Sequence, residues 1–190
     1  MELALDHAVA IMAERGVGGL TVTAVAQRMH VRGPSLYKYF PSLHAIYDRL
    51  FARGALANAQ VVAAAAAGLP RGEARIRGAA HSTVRWCMEN QALAQLLYWR
   101  PVPGFVPSPE AFAAGVDDME QARAEFEEAV RQGRLSGDVD LDEAIRVYTV
   151  LLSGIISQQL ANEPGATYTT GVFTTLIDQA LDMFFAHYGP

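Results

Sequence analysis

The spacing of apolar residues is helical along the whole chain, and this feature restricts the fold more than any other. Leu5, Ala8 and Met12 lie three and four residues apart, which places them on one face of a helix. The same spacing recurs to the end of the chain, and the last two such segments, near 141–162 and 168–188, are strongly apolar. No segment has the period of two that is typical of a half-buried strand. The sequence therefore predicts an all-α fold.

Residues that begin or end helices divide the chain further. Gly16 is placed to end the first helix, and Thr21 is placed to cap the second. Pro34 falls in the first turn of a third helix, where its missing N–H costs nothing, and Ser42 is suited to cap a fourth. Further helices are predicted near 72–90, 91–99, 109–133, 141–162 and 168–188. The chain is thus predicted to be a series of helices joined by short loops.

Composition limits the class of protein. At 51% hydrophobic and 18% charged residues, the chain has enough apolar side chains for a core and for an interface. The longest uncharged runs stay under ~18 residues, so no transmembrane helix is predicted. The first residues lack the basic segment of a signal peptide, and a single cysteine, Cys87, excludes an internal disulfide. We therefore expect a cytoplasmic protein that does not bind membranes.

The charge is unevenly distributed. Residues 1–53 contain six Lys/Arg and four Asp/Glu, a balance of +2. Residues 54–190 contain nine and sixteen, a balance of −7, which adds up to the net charge of −5. A small basic head on an acidic body is the asymmetry expected when the head binds a polyanion.

Two short helices joined by a tight turn, predicted at 22–29 and 33–40, have the dimensions of a helix-turn-helix motif. In the second helix, Leu36 and Phe40 share one face and are predicted to point inward. The opposite face then contains Lys38, the only lysine of the chain. This arrangement is consistent with a helix that packs on one side and contacts a ligand on the other.

The segment GVGGLTVTAVAQRMHVRGPSLYKYFPS resembles the DNA-binding head of the TetR family of bacterial repressors. LTV, the A-x-x-x-x-V frame and LYKYF carry the resemblance, which extends over residues 3–51. It implies a helix-turn-helix DNA-binding domain in 1–48 and a helical ligand-binding and dimerisation domain in 49–190. The function that it implies is a ligand-responsive transcriptional regulator, a repressor. Such a protein binds a palindromic double-stranded DNA operator as a homodimer and is released by a small, mainly apolar effector.

The resemblance also implies which residues contact DNA. The start of the recognition helix faces base edges, and the residues around it contact phosphates. Three positions have a second interpretation: Tyr37 and Tyr39 pack between head helices, and Arg28 is a solvated surface charge. The full set of predicted DNA-binding residues is Thr21, Thr23, Arg28, Arg32, Gly33, Pro34, Ser35, Tyr37, Lys38, Tyr39 and His44.

Three positions depart from the family pattern. His30 occupies the turn position that is normally glycine, where a left-handed backbone is unfavourable for a residue with a side chain. Arg32 replaces the serine that caps the recognition helix. Leu43 replaces a lysine that contacts phosphate, and His44 is only a conditional substitute. Since phosphate contacts carry much of DNA binding, we expect these changes to affect affinity rather than fold.

The body is predicted to bind the effector and a second chain. The last two helices are apolar over most of their circumference, so both sides must be covered. One stripe of the first consists of Leu141, Ile145, Tyr148, Leu152 and Ile155, and a second of Val147, Leu151, Gly154 and Gln158. A homodimer through these two helices is predicted, with a buried monomeric core as the alternative. The substitution Leu152→Asp or Phe184→Asp is expected to split the homodimer or to unfold it.

Effector contacts are implied by the resemblance alone, and a core position is the simpler interpretation of each residue. The predicted ligand-binding residues are His81, Trp86, Met88, Tyr98, Trp99, Phe105, Phe112, Met119 and Gln158. Gln159 is an alternative polar contact.

Catalytic and metal sites are not predicted. The segment 137–144 alternates aspartates as a calcium loop does, but its sixth position is Glu143 instead of glycine. Asp140 is better explained as a helix cap. No P-loop, G-x-S-x-G or Glu-x-x-His pattern occurs, so we predict no enzyme and no cofactor. The remaining alternative is a stand-alone all-α protein that binds small molecules without recognising an operator.

Overall fold

The structure is a computed structural model, and it describes residues 1–113, 115–116 and 119–190. Over this part of the chain the regular structure is helical, without strands, which confirms the predicted fold class. The α-helices are α1 Glu2–Arg15, α2 Val22–Arg28, α3 Gly33–Tyr37, α4 Leu43–Ala66, α5 Glu73–Glu89, α6 Gln91–Tyr98, α7 Pro109–Arg131, α8 Leu141–Asn162 and α9 Ile177–Tyr188. Within the described residues, none of these helices combines the length and the hydropathy that crossing a bilayer requires.

Packing divides the chain into two compact units. The first consists of Met1–Ala57 and Asn90–Ala114, and the second of Asn58–Glu89 and Gly115–Pro190. Helices α4 and α7 each contribute residues to both units. These units are defined by packing, whereas the predicted domains 1–48 and 49–190 are defined by function. The functional division stays a prediction.

The core of the first unit is built mainly by α1, α2, α3 and the start of α4. Its buried side chains include Leu5, Ile11, Met12, Val25, Leu36, Phe40, Ile46 and Leu50. The phenol of Tyr47, which is 1% exposed, donates a hydrogen bond of 2.6 Å to the carbonyl of Val17. This bond satisfies a polar group that would otherwise be buried without a partner, and it ties α4 to the turn after α1.

The turn between α2 and α3 is closed by two backbone hydrogen bonds. His30 N–H donates to Gln27, and Val31 N–H donates to Ala26, at 3.1 and 3.0 Å. This is the Schellman arrangement, which requires a left-handed residue, and His30 has a φ of 56°. The unfavourable backbone that the sequence predicts at His30 is therefore present.

Helix α3 is shorter than predicted, because it ends at Tyr37 and not at Phe40. Residues 38 and 39 form a turn, and Phe40 N–H still donates to the carbonyl of Leu36 at 2.8 Å. Arg32 precedes the helix without a side-chain capping bond, as its residue type implies. The helix-turn-helix motif thus has a short second helix whose buried face is intact.

An aromatic cluster forms the core of the second unit. Phe126, Tyr148 and Phe184 meet edge to face, with ring centroids 5.5 to 6.1 Å apart. The hydroxyl of Tyr148 donates to the carbonyl of Ile76 at 3.0 Å, which connects α8 to α5. Phe126 and Phe184 are 1% and 2% exposed, so this cluster is the buried centre of the unit.

Arginine–carboxylate pairs connect the helices of the second unit at its surface. Glu125 of α7 accepts hydrogen bonds from Arg71 and from the backbone N–H of Gly72, at 3.0 and 2.8 Å. Burial by itself raises the pKa of Glu125, but these hydrogen bonds outweigh it and the pKa is lowered. Glu73 pairs with Arg77 and Arg134 in the same way. These carboxylates are therefore charged where they hold α5 and α7 in place.

The predicted last helix, 168–188, is wrong at its start, because α9 begins only at Ile177 after a short 3₁₀ turn. Hydroxyl groups compete with the helical backbone bonds: Thr170 Oγ accepts from Thr167 N–H at 3.0 Å. In addition, Gln159 Oε1 accepts from the backbone N–H groups of Phe173 and Thr174, at 3.0 and 3.3 Å. These bonds replace the first turns of the expected helix.

Candidate nucleic-acid interface

The two faces of α3 and the turn after it differ sharply in burial. Leu36 and Phe40 are 3% and 1% exposed and belong to the core, as predicted. Gly33 is half-buried, and the other residues of the segment face solvent: Arg32, Pro34, Ser35, Tyr37, Lys38 and Tyr39. The structure therefore brings the predicted recognition residues together on one exposed surface, which we call the α3 face.

Tyr39 does not pack between head helices, the second interpretation that its sequence position allows. Its side chain is 60% exposed, slightly more than the 54% of Tyr37. One edge of Tyr39 lines a small apolar cavity of about 280 Å³, together with Met1, Ala4 and Met29. Both phenols are accordingly available for contacts outside the chain.

The start of α2 adds two exposed hydroxyl groups. Thr21 caps the helix as predicted, because its Oγ accepts from the N–H of Ala24 at 3.0 Å. The same hydroxyl keeps its proton for a further acceptor. Thr23 is also exposed. These groups have the chemistry of phosphate contacts, donating from a helix start.

Four of the six cations of the head differ in whether they form ion pairs. Arg28 forms two hydrogen bonds with Glu14 of α1, at 2.8 and 2.6 Å, a pairing that the sequence does not indicate. These bonds hold the pKa of Glu14 below its ordinary range and raise that of Arg28. Arg53 lies 2.6 Å from Asp6. Among the described residues, Arg32 and Lys38 have no ion-pair partner, so their charges remain directed to solvent.

His44 is exposed near the start of α4, and its ring lies edge to face on Phe105 with centroids 5.9 Å apart. The loop that contains Phe105 is fastened to α4, since Asp48 accepts from the N–H and the hydroxyl of Ser108 at 2.7 and 2.9 Å. Phe105, a predicted effector contact, is 6% exposed and also contacts Tyr47. Within the first unit it acts as a packing residue beneath His44.

The other predicted effector residues are divided between the two units. Tyr98, Trp99 and Phe112 belong to the first, where the rings of Tyr98 and Trp99 lie 6.2 Å apart. The ring of Phe112 instead packs against Phe51, at 5.1 Å. The second unit contains His81, Trp86, Met88, Met119 and Gln158; Trp86 and Met88 are buried, whereas Met119 and Gln158 are exposed. Their role in ligand binding stays a prediction.

His81 belongs to a polar cluster that sequence reasoning missed. Its ring nitrogens lie 2.5 Å from the hydroxyl of Tyr168 and 2.9 Å from a carboxylate oxygen of Asp178. The guanidinium of Arg85 sits 4.6 Å from the centre of the Tyr168 ring. His81 and Arg85 are four residues apart on α5, but their partners lie far along the chain. The sequence therefore indicates only that His81 and Arg85 share a helix face, and not which residues they contact.

Asp140 caps α8, as predicted, by accepting from Glu143 N–H at 3.1 Å. Across the part of the chain that the structure describes, no three His, Cys, Asp or Glu side chains are grouped to hold a metal ion.

Exposed apolar side chains also occur on the last two helices. Val150 of α8 and Met183 of α9 are 68% and 67% exposed, and Val172 and Leu176 before α9 are also exposed. Leu152 and Phe184, by contrast, are buried in the single chain. We call the exposed residues Val150, Gly154, Gln158, Ala161, Leu176 and Met183 the α8–α9 face.

Comparison with known proteins identifies the head. Residues 4–50 match the family model described as bacterial regulatory proteins, tetR family. No sequence among the curated proteins matches the chain.

Solved structures with the same fold cover nearly the whole chain. A protein with unknown function from Rhodococcus sp. RHA1 has a TM-score of 0.80 at 22% identity, over 100% of this chain and 95% of that one. The transcriptional regulator FadR from Bacillus subtilis, in complex with stearoyl-CoA, has a TM-score of 0.75 at 13% identity, over 97% of both chains. The TetR-family transcriptional regulator PfmR from Thermus thermophilus has a TM-score of 0.69 at 20% identity, over 96% and 97%.

Residues 4–50 therefore match the tetR family of bacterial regulatory proteins, and the helical fold of the whole chain is similar to that of solved structures that include a TetR-family regulator.

Proposed function

We propose that the protein is a cytoplasmic transcriptional repressor without enzymatic activity, which binds a palindromic operator as a homodimer and is released by a small effector. The observation that carries this proposal is the α3 face. Two cations without ion-pair partners among the described residues, two exposed phenols and a serine lie around a helix whose other side is locked into the core by Leu36 and Phe40. Such a face has the size and charge to enter the major groove of DNA.

The alternative, a stand-alone carrier of small molecules, requires that the recognition residues be buried or scattered. Thr21, Arg32, Tyr37 and Lys38 are all exposed, and they lie within two adjacent helices and their flanking residues. A carrier has no need for this arrangement. The exposed face favours DNA binding.

A homodimer follows from the same proposal, because one short helix contacts only a few base pairs. Two heads placed one DNA turn apart recognise a palindrome. The α8–α9 face supports the dimer: Val150, Gly154, Gln158 and Ala161 recur every three or four residues along α8 and are all exposed in the single chain. A second copy of the same face would remove Val150, Ala161 and Met183 from water.

Lys38→Ala and Tyr37→Phe are expected to weaken operator binding, because each removes a contact to a phosphate. For Lys38→Ala, the dependence of log K on log salt should become shallower by about one unit per head, or about two per dimer. Fluorescence anisotropy with a labelled duplex, measured from low to physiological salt, gives both affinity and slope.

Arg131→Ala is the matched control, since Arg131 is an exposed cation of the second unit. It should leave affinity and slope unchanged. If both head variants bind as tightly as the original chain at low salt, the α3 face is not the DNA-binding surface.

For the effector, we propose that binding in the body alters the spacing of the two heads. Helix α4 supports this, because it is continuous from Leu43 to Ala66, contributes to both units and is rich in alanine, a strong helix former. A ligand changes operator binding only if it prefers one arrangement of the heads. Since FadR from Bacillus subtilis is in complex with stearoyl-CoA, long-chain acyl-CoA is the first probe for a mainly apolar effector.

An effector of this kind is expected to weaken operator binding about 5–150-fold, the range of typical allosteric coupling. Reciprocity requires that operator DNA weaken effector binding by the same factor, which titration with tryptophan fluorescence as the reporter would measure. Equal effector affinity with and without operator would exclude the inducer mechanism and leave DNA binding itself untouched.

A further inference from the structure

The α3 face contains few groups that can read a base by hydrogen bonding. Gly33 and Pro34 have no polar side-chain atoms, and Leu36 is buried. Of the residues from 32 to 39, this leaves the side chains of Arg32, Ser35, Tyr37, Lys38 and Tyr39. Base recognition must therefore depend on very few contacts.

The ion pairs of the head decide which cations are available. Arg28 is held by Glu14, and Arg53 lies beside Asp6. Arg32 and Lys38 have no such partner within the described residues, and they flank α3 on either side. Arg32 precedes the five residues of α3 and Lys38 follows them, so the two cations lie at opposite ends of the helix.

The chemistry of the two cations assigns them different roles. Arginine presents a planar fork that binds the O6 and N7 atoms of guanine bidentately, whereas lysine is a point charge suited to phosphate. Arg32 has an extended backbone, with φ −76° and ψ 143°, and no capping bond restrains its side chain. Lys38 lies beside Tyr37 and Tyr39, at the far side of the face. Arg32 is thus the strongest base-reading group of the α3 face.

We propose that Arg32 specifies the operator by reading one guanine in each half-site. This inference rests on the proposed function. Because Gly33 and Pro34 add no hydrogen bonds, the sequence preference is concentrated at this one G·C pair, and the positions around it tolerate substitution. The arginine that replaces the usual serine therefore changes what the head recognises.

The experiment begins with selection of bound duplexes from random DNA, using the full chain. We expect one invariant guanine in each half-site. Replacing that guanine by 7-deazaguanine, which lacks the N7 acceptor, should weaken binding about 5–150-fold per half-site. Arg32→Ala should bind the original and the deaza duplex with equal affinity, because the group that senses N7 is gone.

Arg32→Lys and Lys38→Ala separate recognition from charge. Arg32→Lys keeps the charge and should retain the salt dependence while losing most of the discrimination at the guanine. Lys38→Ala should lose affinity for all duplexes alike and retain the full deaza effect. Circular dichroism verifies that each variant is folded, which is expected because both side chains are exposed.

Two results would overturn the assignment. If Arg32→Ala still discriminates against the deaza duplex, another residue reads the guanine. If Arg32→Ala weakens binding to every sequence equally, Arg32 contacts phosphate. Both results leave DNA binding by the α3 face intact, whereas absence of any DNA binding by the original chain would refute the proposed function and this inference with it.

Discussion

Met183→Asp is expected to separate the proposed dimer into folded monomers, whereas Phe184→Asp at the next residue is expected to unfold the second unit. The side chain of Met183 is 67% exposed in the single chain, and that of Phe184 is 2% exposed. A carboxylate at position 183 is solvated in the monomer and is desolvated only in a dimer. A carboxylate at position 184 is buried without a partner, and the substitution also removes the packing of the aromatic ring.

The two effects are large for different reasons. Removal of a buried phenylalanine costs about 3–5 kcal/mol, and the unpaired buried charge adds to this cost. The sum is comparable to the free energy of unfolding of a typical domain, about 5–15 kcal/mol. A separated dimer loses the advantage of two linked heads, so operator binding should fall at least about 100-fold. Sedimentation velocity at micromolar concentration and circular dichroism distinguish the two outcomes.

Met119→Asp is the control for Met183→Asp, because Met119 is a methionine of α7 that is 49% exposed. It should remain dimeric. A Met183→Asp chain that sediments as a dimer and binds the operator normally would rule out the α8–α9 face as the interface. Leu152→Asp, which also places a charge at a buried position, should unfold the chain like Phe184→Asp and is not a test of the interface.

Gln159→Leu is expected to destabilise the second unit by about 2–6 kcal/mol, since it leaves two backbone N–H groups without acceptors, each costing about 1–3 kcal/mol. Gln159 is 0% exposed. Its amide oxygen accepts from Phe173 and Thr174, and its nitrogen donates to the carbonyl of Glu163 at 3.2 Å. Leucine has a similar volume, so the loss reports mainly on hydrogen bonds. Urea denaturation at constant protein concentration measures it.

Gln60→Leu, at an exposed residue of α4 in the second unit, is the matched control and should change stability by less than about 0.5 kcal/mol. Equal stability of the two variants would mean that the segment from Glu163 to Thr174 does not depend on the Gln159 amide. A Gln159→Leu chain with a lowered transition slope instead of a lowered midpoint would point to loss of two-state unfolding.

Local signals predicted the helix boundaries well wherever the determining contact lies within a few residues. The caps at Thr21, Ser42 and Asp140 are all formed, each by a hydrogen bond to the N–H three residues later. Such bonds need no other part of the chain, which is why residue type alone indicates them. The bounds of α8 are those that the sequence predicts.

The start of α9 was not predictable in this way. The threonines after residue 166 allow either a helix or hydroxyl-bonded turns, and apolar spacing favoured the helix. The decisive acceptor is Gln159, which lies 14 residues before Phe173 along the chain. A buried amide from another helix is a tertiary contact, and no local pattern contains it.

At the candidate site, the division of α3 into an inner and an outer face follows from the 3.6-residue period, so Leu36, Phe40 and the exposed cations were identifiable from the sequence. The pairing of Arg28 with Glu14 was not. These residues lie on different helices, and their proximity depends on how α1 packs against α2.

The sequence alone determined the all-α class, the helix-turn-helix head and the presence of cations around α3, because periodicity and capping act within one or two turns of helix. Only the tertiary structure decided which of those cations are held in ion pairs, and which apolar side chains of the last helices face the core. Met183 and Phe184 are adjacent and similarly apolar, yet one is exposed and the other buried. The physical reason is that a helix sets the direction of a side chain, whereas its burial depends on the segments that pack there.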